Sequence, residues 1–364
     1  MPTVLFAGGG TGGHLFPAIA VAQRLPDTLT AHFACSNRAI DRRILDEANV
    51  PFTPLTVRPL PTRPWHAPTF AWQYLQSIRT ALRLIDQHDV RAVISMGGFV
   101  SAPAVEAARR RNIPVLLVNL DAVPGVANRY LVRRCEHVFS VHPSPKLPPR
   151  TQPIAMPLRR ESVADLDAAE CRAAFGFAPD RPVLLVTGAS QGAESINRLM
   201  VQLLERAAFR DAFADWSILH LAGHERDESL RDVYLAAGMH ARVLAFTHQM
   251  GLAWGAAELA ISRAGANSVA EVAANAVPAI FLPYPYHKDQ HQKHNAAELV
   301  EAGGAITVDD AIDPATNADH LLPLLMELAS DAARLGKMRD ALRALAPADG
   351  AAQLVEHLQR LLAR

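Results

Sequence analysis

The sequence predicts an α/β fold of two doubly wound parallel sheets in tandem. In the first half, short apolar runs alternate with amphipathic segments, which is the βαβ pattern of a parallel sheet, and the alternation restarts after Asp180. A glycine-rich turn follows the first predicted strand of each half, as phosphate-binding turns do in such sheets. The chain has 364 residues, more than a single hydrophobic core usually contains. We therefore expect two Rossmann-like domains of ordinary size.

The apolar runs predict the strands, and the amphipathic stretches predict the helices. In the first half, strands are expected at Thr3 to Ala7, Ala31 to Cys35, Val90 to Met96 and Val115 to Asn119, with a helix from Pro17 to about Leu25. In the second half, strands are expected at Pro182 to Thr187, Trp216 to Ala222, Val243 to Phe246, Leu259 to Ser262 and Ala279 to Pro283, with a helix from Ala193 to about Ala208. The tail from about Thr316 is expected to be mostly helical, because leucines recur there at helical spacing.

A proline-rich segment separates the two halves. Five prolines fall between His142 and Met156, a density that suits a connecting segment better than a helix or a central strand. We place the hinge near Pro157. The expected domains are residues 1–157 and 158–345, and residues 346–364 are expected to form a C-terminal helix that packs back on the first domain.

The composition is that of an ordinary globular protein. Charged residues make up 20% of the chain, with 36 basic and 36 acidic residues, so generic nucleic-acid binding is not expected. Cys35, Cys135 and Cys171 are too scattered for a disulfide framework or a CxxC metal site, and we expect reduced, packed thiols. No run of about 18 apolar residues is present, so any membrane contact should be peripheral.

The loop from Gly8 to His14 joins the first predicted strand to the first predicted helix. Glycine amides and the positive end of a helix converge there, so we expect the loop to hold a phosphate-bearing substrate. Its Gly8, Gly10 and Gly13 also satisfy the dinucleotide fingerprint, which leaves a nicotinamide dehydrogenase open. The ribose-binding acid is missing after the second predicted strand, although Arg38 could serve a 2′-phosphate.

Two segments of the second half repeat the order strand, turn and helix. Gly188 to Gly192 is a second anion-receptive turn, and Ser262 to Glu271 is a turn of small residues that leads into a helix. The amides of the second turn could face a phosphate, and the Glu271 carboxylate could face a ribose diol. The alternative for Glu271 is an early-turn acid that only stabilises the helix dipole.

A third segment, Pro283 to Ala296, is rich in histidine. His287, His291 and His294 could share a helix face and bind zinc, yet the prolines before them argue against a helix at His287. A loop and helix start that present Gln292 to sugar hydroxyls is the alternative that we favour. We therefore predict no metal and no other cofactor.

In this order the motifs resemble those of glycosyltransferase family 28, the N-acetylglucosaminyltransferases of peptidoglycan synthesis. The resemblance is carried by Gly9 to His14 with Phe16 and Pro17, Gly97 to Pro103, Ala122 to Gly125 with Asn128, and the three second-half segments above. It implies a GT-B fold, in which two Rossmann-like domains face a cleft. The first domain would serve the acceptor and the membrane, and the second would bind UDP-GlcNAc.

The activity implied by the resemblance is an inverting transfer of GlcNAc from UDP-GlcNAc to the C4 hydroxyl of an undecaprenyl-diphosphate-linked muramyl pentapeptide. The protein would then act as a peripheral protein on the cytoplasmic face of the cell membrane. No covalent intermediate is needed, and one base suffices. His14 is our candidate for that base, with a hydrogen-bonded structural histidine as the alternative.

The resemblance also implies the site residues. The donor site is implied to comprise Thr11, Gly12, Gly13, Asp121, Arg159, Ser190, Thr247, Ala266, Asn267, Ser268, Val269, Ala270, Glu271 and Gln292. The loop for the acceptor diphosphate is implied to comprise Gly10, Thr11, Gly12, Gly13, Gly97 and Gly98. Within the donor site, Ser190 would meet the diphosphate, the backbone of Thr247 the uracil, Glu271 the ribose and Gln292 the GlcNAc hydroxyls.

Two features leave alternatives open. Arg58 to Leu84 mixes aromatic and basic residues, which suits either an anionic membrane surface or a helix packed on the core. Val118 to Asp121 stands where the family usually has His-Glu-Gln-Asn, and an ionised Asp121 cannot donate hydrogen bonds as an amide would. Asn119, two residues away, is one alternative source of that amide. Otherwise the protein is a related nucleotide-sugar transferase or epimerase with another substrate, or a non-catalytic UDP-sugar-binding homologue.

Overall fold

The computed structural model of the chain describes residues 1–61, 63–188, 192–223, 227–286, 289–345 and 347–363. The chain divides into two compact units, Met1–Arg159 with Ala348–Arg364, and Arg160–Pro347. The chain passes from the first unit to the second after residue 159 and returns after residue 347. Each boundary lies two residues later than the sequence predicts. The two units are called unit 1 and unit 2 below.

Unit 1 is built on a parallel sheet of seven strands in the order β3-β2-β1-β4-β5-β6-β7. The strands are Thr3–Ala7 (β1), Thr30–Ser36 (β2), Phe52–Leu55 (β3), Val90–Ser95 (β4), Val115–Asn119 (β5), His137–Ser140 (β6) and Gln152–Pro153 (β7). Its first helices are Gly12–Ala22 (α1), Ala39–Glu47 (α2), Ala67–Gln87 (α3), Ser101–Arg110 (α4) and Val126–Leu131 (α5). All residues of β1 and β5 are buried, because a parallel sheet is covered on both faces.

Unit 2 contains a second parallel sheet, of six strands in the order β10-β9-β8-β11-β12-β13. The strands are Val183–Thr187 (β8), Ser217–Leu221 (β9), Ala241–Leu244 (β10), Leu259–Ser262 (β11), Ala279–Phe281 (β12) and Ala305–Thr307 (β13). Its helices are Ala168–Ala174 (α6), Glu194–Glu205 (α7), Ala207–Ala212 (α8), Asp227–Ala236 (α9), Met250–Ala256 (α10), Ala266–Asn275 (α11), His291–Glu301 (α12), Pro314–Ser330 (α13) and Ala332–Ala344 (α14). The fold class predicted from the βαβ pattern is therefore confirmed.

The last helix, Gly350–Leu362 (α15), belongs to unit 1, where it contacts α1. Leu354, Val355 and Leu358 form its buried face. Arg24 at the end of α1 pairs with Asp349, the N-cap of α15, with 3.0 Å between Nε and Oδ2. No helix within the described ranges has both the length and the hydropathy needed to span a membrane.

Two helix predictions need correction. The first helix begins at Gly12 rather than Pro17, so Pro17 lies inside α1 and His14 lies in its first turn. The helix expected from Ala193 to about Ala208 is divided at Arg206, whose backbone is extended (φ −82°, ψ 117°). An extended residue cannot continue the hydrogen-bond pattern of a helix, so α7 ends at Glu205 and α8 starts anew.

In each sheet the strand order reverses beside the first strand. The reversal lies between β1 and β4 in unit 1, and between β8 and β11 in unit 2. Ligands of open α/β sheets bind at such switch points, beyond the carboxyl ends of the strands. The loops after these four strands contain four of the motifs identified in the sequence.

Candidate active site

The first glycine loop leads directly into α1. Thr11 is the N-cap residue, in an extended conformation and without a side-chain capping bond, and Gly12 and Gly13 are the first helical residues. The first amides of a helix have no partner within it and carry partial positive charge. Thr11 and Gly13 are exposed, so the start of α1 can bind an anion.

The preceding Gly10 is held by two residues of the β2–α2 segment. Its amide donates to both carboxylate oxygens of Asp41, at 3.0 and 2.7 Å, and its carbonyl accepts from Arg38 Nη1 at 2.8 Å. Asp41 is fully buried and also accepts from the amide and the hydroxyl of Ser36. The guanidinium of Arg38 lies 5.7 Å from the centre of the Phe99 ring. Gly10 is thus fixed by protein groups, and the exposed residues Thr11 and Gly13 come after it.

The segment after β4 packs against this loop. Ser101 Oγ bonds the carbonyls of Ala7 and Gly97, at 2.8 and 2.7 Å, and so ties the segment to the end of β1. Gly97 and Gly98 both have positive φ, at 91° and 78°. A Cβ atom on Gly97 would lie 2.8 Å from Asn128 Oδ1, and one on Gly98 would lie 3.2 Å from the Gly9 carbonyl oxygen. Only glycine at positions 97 and 98 allows the segment after β4 to approach Asn128 and the first glycine loop so closely.

His14 lies between these two loops. Its side chain is half-buried, and its ring packs against Gly98, where a Cβ atom would lie 3.5 Å from Nδ1. Nδ1 is buried and has no hydrogen-bond partner among the described residues. Burial lowers the pKa of His14 below 6.5, although the charge of Asp121, the Gly9 backbone and the charge of Asp41 act in the opposite direction. The imidazole is therefore neutral at pH 7 and can accept a proton.

The segment after β5 is a polar network. Asn119 is buried, and its Nδ2 donates to the Asp121 carbonyl at 2.8 Å and to Ser140 Oγ at 3.0 Å. Its Oδ1 accepts from Asn128 Nδ2 at 3.1 Å. Both amide hydrogens of Asn119 are therefore used within the protein. The hypothesis that Asn119 supplies a substrate-facing amide in place of the usual asparagine is wrong for this reason.

Arg159, the last residue before unit 2, stacks its guanidinium over Phe16 of α1, 4.1 Å from the ring centre. This cation–π contact gives the side chain a position that the sequence does not indicate.

In unit 2, the turn after β8 is described at Gly188 and Gly192, while Ser190 lies outside the described residues. Gly192 has φ 71°, and a Cβ atom there would lie 2.5 Å from the Ala222 carbonyl oxygen. The same carbonyl accepts from Asn197 Nδ2 at 2.9 Å, and Asn197 Oδ1 contacts His220 Nε2 at 3.1 Å. Burial lowers the pKa of His220 to about 3, so this network is neutral.

The turn after β11 starts α11. Gly265 is the N-cap, and Ala266, Asn267, Ser268 and Val269 form the first turn, followed by Ala270 and Glu271. The first turn again offers helix-start amides, and Asn267 Oδ1 is buried without a hydrogen-bond partner among the described residues. Glu271 is buried in the second turn, so it is not the early-turn acid of the alternative interpretation. Its Oε2 accepts from Trp254 Nε1 of α10 at 2.9 Å, which orients the carboxylate.

Two further residues that are predicted to bind the donor lie on segments that follow β10 and β12. Thr247 follows β10, and its Oγ1 accepts from the Gln249 amide at 3.1 Å. Gln292 is the second residue of α12, and its Oε1 accepts from the Tyr284 amide at 2.9 Å, which leaves Nε2 as the group able to donate to a sugar.

The histidines considered for zinc are only partly described. His287 lies outside the described residues, His291 Nδ1 is 2.9 Å from Asp289 Oδ1, and His294 is exposed.

A buried ion pair joins the loops of unit 2. Arg263, directly after β11, contacts Asp310 Oδ2 through Nη1 at 2.8 Å, and the two side chains are 8% and 0% exposed. Arg263 also donates to the Leu282 carbonyl after β12 and to Ser195 Oγ in the first turn of α7. Burial opposes the ionisation of Asp310, but hydrogen bonds from Asn317, Ser195, the Ile312 amide and Arg263 together lower its pKa. One cluster therefore connects the segments after β8, β11, β12 and β13.

Two parallel-sheet domains, each with helix-start loops at its switch point, form the architecture of the GT-B class of glycosyltransferases. The profile of the glycosyltransferase family 28 N-terminal domain matches residues 4–140, and that of the family 28 C-terminal domain matches residues 183–354. The chain belongs to glycosyltransferase family 28. Membership in this family excludes the alternative of a nicotinamide dehydrogenase. Arg38, which was considered for a 2′-phosphate, contacts Gly10 and Phe99 instead.

Relatives match over almost the whole chain. The UDP-N-acetylglucosamine:N-acetylmuramyl-(pentapeptide) pyrophosphoryl-undecaprenol N-acetylglucosamine transferase of Clavibacter michiganensis subsp. michiganensis is 36% identical over 367 residues, covering 98% of this chain and 95% of the relative. The transferase of the same name from Leifsonia xyli subsp. xyli is 37% identical over 364 residues, covering 98% and 97%.

Solved structures agree with this assignment. The crystal structure of Acinetobacter baumannii MurG superposes with a TM-score of 0.74 at 27% identity, covering 99% of this chain and 100% of that one. The Staphylococcus aureus MnaA-UDP co-structure superposes with a TM-score of 0.66 at 13% identity, which shows a shared fold.

Sequence reasoning found the loops but missed several residues that hold them in place. Asp41, Arg263 and Asp310 are buried charges without a motif of their own, and Trp254 supports Glu271 from another helix. The sequence contains two weak signals for these residues. Asp41 lies in the first turn of a helix, and Arg263 directly follows a buried strand. Neither signal reveals its partner, because the partners are 31 and 47 residues away.

Proposed function

We propose that this protein transfers N-acetylglucosamine from UDP-GlcNAc to the C4 hydroxyl of the muramyl unit in undecaprenyl-diphosphate-linked muramyl pentapeptide. The observation that carries the proposal is the identity of 36–37% over nearly the full length to transferases named for this reaction. The helix-start loops at the switch points of both sheets support it, because donor and acceptor each bear a diphosphate.

In this proposal the donor is bound mainly by unit 2. The first amides of α11, from Ala266 to Ala270, and the turn that contains Ser190 bind its diphosphate. Glu271, oriented by Trp254, binds the ribose, and the backbone at Thr247 binds the uracil. Gln292 donates from Nε2 to a GlcNAc hydroxyl, since its Oε1 is already used.

Unit 1 contributes the acceptor side of the site. Thr11, Gly12 and Gly13 offer the helix-start amides to a diphosphate, and Gly10, Gly97 and Gly98 shape the loop around them. We propose that the donor also contacts these three residues, together with Asp121 and Arg159. Arg159 brings a guanidinium that is held over Phe16.

His14 is the proposed general base. The C4 oxygen attacks the anomeric carbon of GlcNAc from the face opposite UDP while its proton passes to the imidazole. The bond from the anomeric carbon to the diphosphate oxygen breaks, and UDP leaves with the electron pair, which inverts the configuration. The position of His14 between the two glycine loops and its lowered pKa, which keeps the imidazole neutral, support this role.

The protein is further proposed to dock on an anionic membrane surface, on the cytoplasmic face. Phe70 and Tyr74 pack against the core, whereas Trp65, Trp72 and Leu75 are more than half exposed. Core packing accounts for Phe70 and Tyr74, and the exposed residues support the proposed membrane contact. Beside it, α4 and α5 form a groove of about 690 Å³ lined by Arg109, Val126, Arg129, Tyr130, Arg133 and Arg134. Aromatic and basic groups on one surface favour anionic lipid.

The test is a transfer assay with UDP-GlcNAc and other UDP-sugars, using a short-chain lipid-linked muramyl pentapeptide as acceptor. We expect GlcNAc transfer by the wild-type protein and a loss of about 10²–10⁴-fold in kcat for His14→Ala. His88→Ala, at an exposed histidine after α3, is the matched control and should keep its rate. Full activity of His14→Ala would exclude His14 as the base.

A second candidate function is transfer of another sugar from a UDP donor. It is favoured by Asp121, which replaces an amide by a group that cannot donate when ionised. The same assay separates the two candidates, because a strong preference for a different UDP-sugar would leave the reaction class correct and the donor wrong.

A further inference from the structure

A polar pocket of about 380 Å³ lies next to the first glycine loop in unit 1. Its lining comes from the segments after β2, β3 and β4 and from α3, and includes Asn37, Arg38, Thr56, Arg58, Gln73 and Phe99. It therefore opens at the same edge of the sheet as the glycine loop. Its volume is at the lower end of the range for small-ligand sites, about 300–1,000 Å³.

The pocket is positively charged. Arg38 and Arg58 both line it, and no aspartate or glutamate is among its described lining residues. Asp41, the nearby carboxylate, is fully buried and bonded to Gly10 and Ser36. Arginine forks match carboxylates and phosphates in shape and charge, so the chemistry of this pocket favours an anionic, hydrogen-bonding ligand.

Direct contacts connect the pocket to the proposed base. Arg38 donates to the Gly10 carbonyl at 2.8 Å, and Phe99 lies 3.1 Å from a Cβ position on Gly10. The neighbour of Phe99 in sequence, Gly98, packs against the His14 ring. A ligand group bound at Arg58 would thus be separated from the reacting hydroxyl at His14 by Phe99 and the glycine loop.

The acceptor has a suitable group in this direction. In muramic acid the peptide is attached through the lactyl ether on O3, one carbon from the C4 hydroxyl, whereas the diphosphate is on C1 across the ring. The peptide must therefore leave the sugar beside His14. An extended pentapeptide spans at most about 18 Å, enough to reach a neighbouring pocket, and it carries at least its terminal carboxylate.

We propose that this pocket binds a carboxylate-bearing part of the acceptor peptide, with Arg58 as the residue that recognises the charge. The inference rests on the proposed function, because it takes the muramyl pentapeptide as the acceptor. Arg38 has a different role, since it holds Gly10 and closes the pocket toward the loop.

The test compares three short-chain acceptors in solution, without a membrane: the pentapeptide with free carboxylates, the same peptide with all carboxylates as carboxamides, and an acceptor without peptide. Arg58→Gln should raise KM for the first acceptor about tenfold. Its KM for the other two acceptors, its KM for UDP-GlcNAc and its kcat should match the wild type. Arg58→Lys should recover part of the loss.

Arg91→Gln, at an exposed arginine in β4, is the matched control and should leave all constants unchanged. If Arg58→Gln raised KM equally for all three acceptors, the pocket would bind the sugar or the diphosphate, and the inference would be overturned. No change for any acceptor would overturn it as well. Absence of GlcNAc transfer by the wild-type protein would instead refute the proposed function, and the inference with it.

Discussion

The first glycine loop of unit 1 and the loops of unit 2 both depend on a buried carboxylate, but the two carboxylates act on different groups. Asp41 accepts directly from the backbone of the loop, at Gly10. Asp310 pairs with the Arg263 side chain, and through it with carbonyl and hydroxyl groups of neighbouring segments. The Asp41 carboxylate thus fixes its loop through neutral amide and hydroxyl donors, whereas the Asp310 carboxylate fixes several loops through a charged side chain.

This difference has an energetic consequence. Loss of the Asp41 charge leaves neutral donors with a poorer acceptor, whereas loss of the Asp310 charge leaves an arginine ionised in a buried site. Breaking a buried ion pair by removing one partner is among the most costly single changes. Unit 2 should therefore be more sensitive than unit 1 to an isosteric amide at its carboxylate.

The largest effect on stability is expected for Asp310→Asn. It should cost about 3–5 kcal/mol and weaken UDP binding, because Ser195, Arg263 and Leu282 all lie on segments of the proposed donor site. Thermal unfolding with and without UDP checks both effects. The control is Asp319→Asn in α13, whose pair with Arg206 joins two exposed side chains. It should cost no more than about 1 kcal/mol and leave UDP affinity unchanged.

A smaller effect is expected for Asp41→Asn, about 1–3 kcal/mol. The backbone amides of Gly10 and Ser36 can only donate to residue 41, and an amide NH₂ group cannot accept from them. The disturbed loop should raise KM for the acceptor while UDP affinity stays constant. Asp46→Asn, at an exposed position of the same helix, is the control. An increase of the donor KM alone would contradict the assignment of this loop to the acceptor.

The smallest expected effect is a shift in the pH profile for Asp121→Asn. Burial lowers the pKa of His14 below 6.5, and the charge of Asp121 partly offsets this. A base is lost as the pH falls through its pKa, and kcat/KM reports the pKa of the free enzyme, so the acid limb of kcat/KM should lie below pH 6.5 in the wild type. Removal of the Asp121 charge should move this limb to lower pH. A shift to higher pH, or no acid limb linked to His14, would disprove the coupling.

Much of the fold could be predicted from the sequence. The strands at Thr3–Ala7, Val115–Asn119 and Leu259–Ser262 have the predicted limits, since buried parallel strands are short apolar runs bounded by turns. The predicted start of α1, at Pro17, is too late by five residues. Glycine is a poor helix former by propensity, so the sequence does not indicate that Gly12 and Gly13 are helical. The division at Arg206 also has no local signal.

The site loops were predictable because their glycines and strand ends are local features. The residues that hold these loops in place could not be predicted. Asp41 and Gly10 are separated by 31 residues, and Arg263 and Asp310 by 47, so the pairing of each exists only after the sheet has formed. Asn119 illustrates the same limit, since its amide is used by Ser140, a residue of the adjacent strand.

The sequence by itself determined the two parallel-sheet domains, the family and the loops at which substrates are expected. These follow from periodicity and short motifs, which depend on neighbours along the chain. Only the tertiary structure decided which groups those loops still offer to a ligand. The amides of Gly10 and Asn119 donate to protein partners. His14 Nδ1 and Asn267 Oδ1, by contrast, have no hydrogen-bond partner among the described residues. Hydrogen-bond satisfaction is a property of packed, distant groups, so it becomes visible only once the chain has folded.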